Sequence, residues 1–386
     1  MNNVHKEHIL FHRSTPWSGS IKGSTNVYAD KFVKNKYDVS YMCGVVHVGH
    51  LLTGRGNYES WRKGGRYDSG AWVFTPVSVV PFMGEGPLSR PKAADWSYRS
   101  CIPSIENQLH RSGQGNPDII WTARPGSGIL TELFPEATLI FQVVDYYPAY
   151  RGEHFKDIER RDYERADHIF LIGHAMLSYL TEELSVSEKK ITVLGQGVSI
   201  DEYQGNNAEP EEICELPHPR LIWVGRLDKG DPDLFKAAAE VTERLGGSLT
   251  LIGPTDSWIP GLRAEFDSVN FLGPRSPDSI PAYLTNADIG LMLYDQRRPE
   301  VYYGQNPLKL YEYAAAGLGI LSTPHEEFRY LSPPVFEVDN ADDVEKGVRQ
   351  VMNNYEEFSD EADDFSRKRS WERCFKKAES VITNLS

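Results

Sequence analysis

No two cysteines of this chain stand close together: Cys43, Cys101, Cys214 and Cys374 are scattered, and none forms a C-x-x-C pair. A disulfide framework or a compact cysteine metal site is not supported, and reduced thiols in a cytosolic protein are the expected state. Long apolar runs are missing as well. No uninterrupted stretch approaches the ~18 residues of a membrane-spanning helix, so any contact with the inner face of the cell membrane is expected to be peripheral. The opening MNNVHKEHILFHRS lacks the apolar core of a secretory signal. Positive charge is in deficit. The 41 Lys and Arg against 55 Asp and Glu leave −14, which argues against a generic nucleic-acid binder.

Several motifs are absent too. The first strand is followed by no G-x-G-x-x-G, so a nicotinamide-dependent dehydrogenase is poorly supported. His47 and His50 in HVGH, with His12 elsewhere, make no metal set, and no D-x-D motif stands at a suitable strand end. No metal and no cofactor are therefore expected. RPGSGIL carries Pro125 where a nucleophile elbow needs a glycine two residues before Ser127.

What is present is a repeated alternation of strand and helix. HILFHR, KYDVSYMCG, PDIIWTA, ATLIFQVVD, DHIFLIG and KKITVLG read as strands, with helices such as NVYADKFVKN and EHFKDIERRDYERA between them. The strands are continuously apolar rather than alternating, the pattern of a parallel sheet covered by helices on both faces. Residues 198–219, VSIDEYQGNNAEPEEICELPHP, are polar and acidic and read as a linker. The same grammar then restarts with RLIWVG, SLTLIG, VNFLG and DIGLMLY. The expected fold class is α/β: a Rossmann-like domain over residues 1–197, the linker, and a second over 220–365. A C-terminal helix over 366–386 should pack on the fold through Trp371, Phe375 and Ile382.

In open parallel sheets ligands bind beyond the carboxyl ends of the strands. The stretch GQNPLKLYEYAAAGLGILST lies at such an end. Asn306 suits an N-cap and Pro307 the first helical position, with Gly317 at C′. Lys309 then joins a helix N-terminus that already favours anions, and Glu312 follows on the same face. Together they suit a phosphate and a ribose; an incidental surface ion pair is the plainer alternative. Asp145 in FQVVDYYPAYRG ends another strand and is either a general base for a sugar hydroxyl or the cap of the next turn. Arg226 and Lys229 in WVGRLDKG could neutralise a diphosphate, or sit in a solvated turn. Tyr294 follows the strand DIGLMLY. Arg297 and Arg298 could meet a uronate, with a solvated loop as the alternative. Between residues 61 and 96, Arg62, Lys63, Arg66, Arg90 and Lys92 interleave with Trp61, Trp72, Phe82 and Trp96. That mixture suits an anionic membrane surface or an acceptor pyrophosphate, unless it is a long ordered loop.

Taken together these residues resemble the GT-B glycosyltransferases, and among them the family of the xanthan-biosynthesis β-glucuronosyltransferase. The resemblance implies two facing Rossmann-like domains with a cleft between them. It implies Asp145 as the base of an inverting transfer, Tyr294 at the nucleotide site and Lys309 on the diphosphate. Glu312 resembles the ribose-binding glutamate of the wider group. Arg226, Asn306 and Leu308 complete the implied donor site. Leu308 and Glu312 replace the methionine and glutamine of the family example, and Pro274 replaces an acidic residue near the base. Retaining members resemble the chain at VGRL, but their lysine lies beyond Lys229 and their further glutamate is here Gly304. The activity implied is transfer of a sugar from a nucleotide sugar, UDP-linked before GDP-linked, to a glycan or lipid-linked glycan. A retaining transferase and a nucleotide-sugar epimerase of the same fold are the alternatives.

Overall fold

The computed structural model describes residues 7–17, 23–52, 64–82, 86–205, 207–298 and 302–385. The chain forms two compact units, residues 1–194 with 377–386, and residues 195–376.

The N-terminal unit contains strands β1 (His8–His12), β2 (Asp38–Met42), β3 (Val46–His47), β4 (Arg66–Asp68), β5 (Ala71–Phe74), β6 (Val77–Ser78), β7 (Ile119–Thr122), β8 (Thr138–Val143), β9 (His168–Leu171) and β10 (Ile191–Val193). Eight of them form a sheet in the order β10-β9-β8-β7-β1-β2-β5-β4, while β3 and β6 pair separately. All neighbours in the large sheet run parallel except β4 and β5. Every residue of β1, β7 and β9 is buried, which is why those stretches are apolar without alternation. Trp121 anchors this core against Phe11, Tyr28 and Phe170.

Part of the basic and aromatic stretch folds into a hairpin that sequence reasoning left as loop. Asp68 pairs with Ala71 across Ser69 and Gly70, whose φ values are 49° and 90°. Two consecutive positive φ angles match the twist of a two-residue hairpin, and glycine takes the second without strain. Trp72 is buried and donates from Nε1 to the Gln108 carbonyl at 3.1 Å, and Phe82 stacks on Phe155. These two rings are packing residues, whereas Trp96 is exposed. Trp61, Arg62 and Lys63 lie outside the described residues.

The C-terminal unit is a six-stranded sheet of β11 (Arg220–Val224), β12 (Ser248–Ile252), β13 (Val269–Gly273), β14 (Ile289–Met292), β15 (Gly319–Ser322) and β16 (Val335–Glu337). Its order is β13-β12-β11-β14-β15-β16, parallel throughout. The expected linker is in large part a piece of this unit. Tyr203 and Ile213 are buried in its core, Glu209 pairs with Arg220, and Glu212 reaches Arg275 at 3.0 Å and the Tyr283 hydroxyl. The acidic composition that suggests a solvated connection instead serves ion pairs, with Arg220 directly after the stretch and with Arg275 distant in sequence. The acidic helical stretch is broken at Asn354 into Ala341–Asn353 and Tyr355–Arg367. The last helix, Trp371–Leu385, buries Trp371, Phe375 and Ile382 as expected.

Candidate functional site

In the C-terminal sheet the strand order reverses between β11 and β14, the place where open α/β sheets hold ligands. Beyond β11 comes Gly225 at φ +131°, a backbone angle that side chains rarely adopt. Beyond β14 comes Tyr294, buried, with its ring 5.2 Å from that of Trp223. Into this corner the helix Leu308–Ala315 sends Lys309.

The helix begins one residue later than its sequence suggests. Pro307 is the N-cap, with extended ψ of 129°, and Asn306 lies before it. The Asn306 side chain is buried and accepts from the Tyr311 hydroxyl at 2.9 Å, so it does not cap the backbone. Leu308 is thus the first helical residue, and Asn306 braces the helix from within. The far end follows expectation: Gly317 N–H bonds to the Ala314 carbonyl and Leu318 N–H to that of Tyr313, a Schellman closure.

Lys309 is buried, and its Nζ lies 3.1 Å from the centroid of the Trp223 ring and 4.9 Å from that of Tyr294. A ring face attracts an ammonium but accepts no full hydrogen bond. Among the described residues no carboxylate or other acceptor reaches this Nζ. Burial therefore pulls the Lys309 pKa well below the ordinary lysine value, and the positive charge of Lys229 pulls it further down. Glu312, three residues on, is half-buried and forms no ion pair with Lys309. Burial lifts its carboxyl to about 7, opposed by Lys309 and assisted by the negative Glu202. The alternative of an incidental surface pair does not describe these residues. Lys309 is withdrawn from water and Glu312 half withdrawn; each acts on the other's charge, but among the described residues no salt bridge joins them.

The other candidates divide. Arg226 is exposed and forks onto Asp228 through Nε at 3.0 Å and Nη2 at 2.5 Å. Arg297 is held by Asp231, Asp233 and Asp295, which together raise its pKa, so it is not waiting for a uronate. Arg298 donates to the Asp228 carbonyl at 2.6 Å. In the N-terminal unit Asp145 lies two residues past β8, half-buried, at the carboxyl edge as expected. It acts on Tyr147, whose hydroxyl donates to the Ala123 carbonyl at 3.0 Å.

Two residues escaped sequence reasoning. Trp223 reads as an ordinary core residue of RLIWVG until Lys309 is seen above it. His325 follows β15, is buried at 4% exposure, and stacks on Tyr302 at 4.9 Å. Among the described residues neither of its ring nitrogens has a hydrogen-bond partner. Burial, reinforced by Lys309, holds it neutral with a pKa of about 3. The rule of strand carboxyl ends, applied to STPHEEF, would have found it.

Residues 218–354 match the family described as glycosyl transferases group 1. A Bacillus subtilis (strain 168) protein named for teichuronic acid biosynthesis, the glycosyltransferase TuaH, is 26% identical over 250 residues. That match takes in 59% of this chain and 61% of the relative, so the chain spans less than two thirds of the relative's length. Sucrose-phosphate synthase from Thermosynechococcus elongatus superposes with a TM-score of 0.70 at 12% identity, covering 98% of this chain and 99% of the other. Anabaena HepE in complex with UDP and glucose also gives 0.70 at 12% identity, over 98% of this chain and all 100% of the other. The chain thus has the α/β fold of GT-B glycosyltransferases, and its residues 218–354 carry the group 1 glycosyltransferase match.

Proposed function

We propose that the protein transfers a sugar from a UDP-sugar to a hydroxyl of a glycan or lipid-linked glycan, with inversion at the anomeric carbon. Lys309 takes the diphosphate, with Arg226 released from Asp228 to join it. Glu312 accepts the ribose hydroxyls, and Tyr294 with Leu308 borders the nucleotide. Asp145 removes the proton of the acceptor hydroxyl as that oxygen attacks. The charge that grows on the leaving diphosphate meets Lys309 and the start of the Leu308–Ala315 helix, with no metal ion required.

One observation carries this assignment: a lysine withdrawn from water, with no acceptor within reach among the described residues, at the strand reversal of the domain that matches the group 1 glycosyltransferases. A buried ammonium with no directly bonded counter-charge is costly unless a ligand supplies one. The solved HepE complexes with UDP and with UDP-glucose support the nucleotide chosen. The likeness to the xanthan-biosynthesis β-glucuronosyltransferases rests on Asp145, Tyr294 and Lys309, and with it the inverting course.

Calorimetry of UDP with the full chain is the direct test. Lys309→Ala should weaken binding by about tenfold or more, the loss of a charge-assisted contact. Unchanged affinity would remove Lys309 from the site. An epimerase would consume UDP-sugar without an acceptor, so UDP release measured with and without candidate glycans separates that activity from transfer.

A further inference from the structure

The N-terminal sheet has its own reversal of order, between β1 and β7. Near it lies a cavity of about 320 Å³ whose lining includes His47, His50, Phe82, Tyr98 and Arg124. A chain of hydrogen bonds builds one wall. His12, at the end of β1, donates from Nδ1 to the Met42 carbonyl at 3.0 Å, which leaves Nε2 to accept from the Tyr98 hydroxyl at 2.8 Å. Arg124 stands beside Tyr98 at this wall, and its Nη1 donates to Ser14 Oγ. Arg124 is therefore fixed in place by neutral groups alone. Among the described residues it has no ion pair, and none of the described lining residues is acidic. In a protein of net charge −14 that is a selective arrangement. His47 is part of the wall, donating to the Val79 carbonyl at 3.0 Å and accepting from Gly49 N–H at 3.2 Å.

We propose that this cavity is the anion subsite of the sugar acceptor, taking a phosphate ester or a uronate carboxylate on Arg124 with His50 beside it. A guanidinium suits the paired oxygens of either group. Arg124 and Asp145 each stand two residues beyond neighbouring strands, β7 and β8, which lie about 4.8 Å apart. An anion on the first and a reacting hydroxyl on the second fit a single acceptor sugar. This deepens the proposed transferase reading, because it takes Asp145 as the base.

The test uses the full chain with 15N-labelled histidine, the His50 signals being assigned through His50→Gln. Methyl phosphate and glucuronate are titrated separately. One of them should move the His50 resonances, and whichever binds more tightly identifies the acceptor's anionic group. Arg124→Gln should weaken that probe about tenfold, with Arg124→Lys between the two. Calorimetric UDP affinity should be the same in all three proteins. The proposal is overturned if neither probe moves His50, if Arg124→Gln binds the probe as well as the parent chain, or if UDP displaces the probe. A probe held by Arg124 in a protein that binds no UDP would sink the donor assignment and leave the anion subsite standing.

Discussion

Lys309 carries opposite demands of stability and binding, and that opposition can be measured. Replacing a buried charge by an apolar side chain of similar length removes its desolvation cost, so Lys309→Met should stabilise the chain by about 1–2 kcal/mol in urea unfolding. The same variant should lose the rise in Tm that UDP gives the parent protein. A merely structural lysine would show neither change. Glu312 has a definite sign as well. Its carboxyl titrates at about 7 in the fold against 4.5 in the open chain, so between these values the folded state holds the extra proton. Stability then falls as pH rises across that window and levels off above it. Glu312→Gln should cancel the fall, gaining about 1–2 kcal/mol over the parent chain between pH 4.5 and pH 7, a discounted figure because the side chain is half-buried. Equal pH slopes for the two proteins would count against a withdrawn carboxyl. Asp145→Asn should lower turnover by ~10²–10⁴-fold while UDP affinity persists. Retention of donor configuration, read from the product's anomeric proton by NMR, would remove Asp145 from its role.

At the scale of elements, the site depends on how β11 ends. Gly225 adopts φ +131°, and a Cβ added there would stand 3.3 Å from Lys309 Nζ. Gly225→Ala should therefore cost about 1–3 kcal/mol through the backbone and weaken UDP binding by displacing the ammonium. Normal UDP affinity in a folded Gly225→Ala protein would show that Lys309 need not lie on Trp223. The helix that carries Lys309 was largely legible from NPLKLYEYAAAG, because the proline stop and the glycine close are local signals. Its exact start was not, since Asn306 turned inward to Tyr311, a partner that only the folded helix supplies. The β4–β5 hairpin was missed for another reason. β4 is the sheet edge, with no buried residue and Tyr67 exposed, so it lacks the apolar signature of the central strands, and β5, though apolar and mostly buried, is only four residues long.

At the scale of the molecule, each unit is built on an α/β sheet, parallel but for the β4–β5 pair, that reverses its strand order, and the candidate residues lie near those reversals. If Lys309 and a helix end compensate the charge as proposed, transfer should be insensitive to EDTA, with initial rates unchanged in the chelator; a loss restored by Mg²⁺ would require a metal that the proposal leaves out. The alternation of strands and helices, the duplication of the pattern and the carboxyl-edge positions of Asp145, Tyr294 and Lys309 were all determined by sequence, because burial on both faces and helix boundaries are written in neighbouring residues. Which charges are matched was decided only by tertiary structure. Glu212 found Arg275 and Arg297 found three aspartates, whereas among the described residues Lys309 lies on aromatic rings without a salt bridge and Arg124 bonds only neutral groups. Pairing depends on distances between residues far apart along the chain, and no local pattern encodes those.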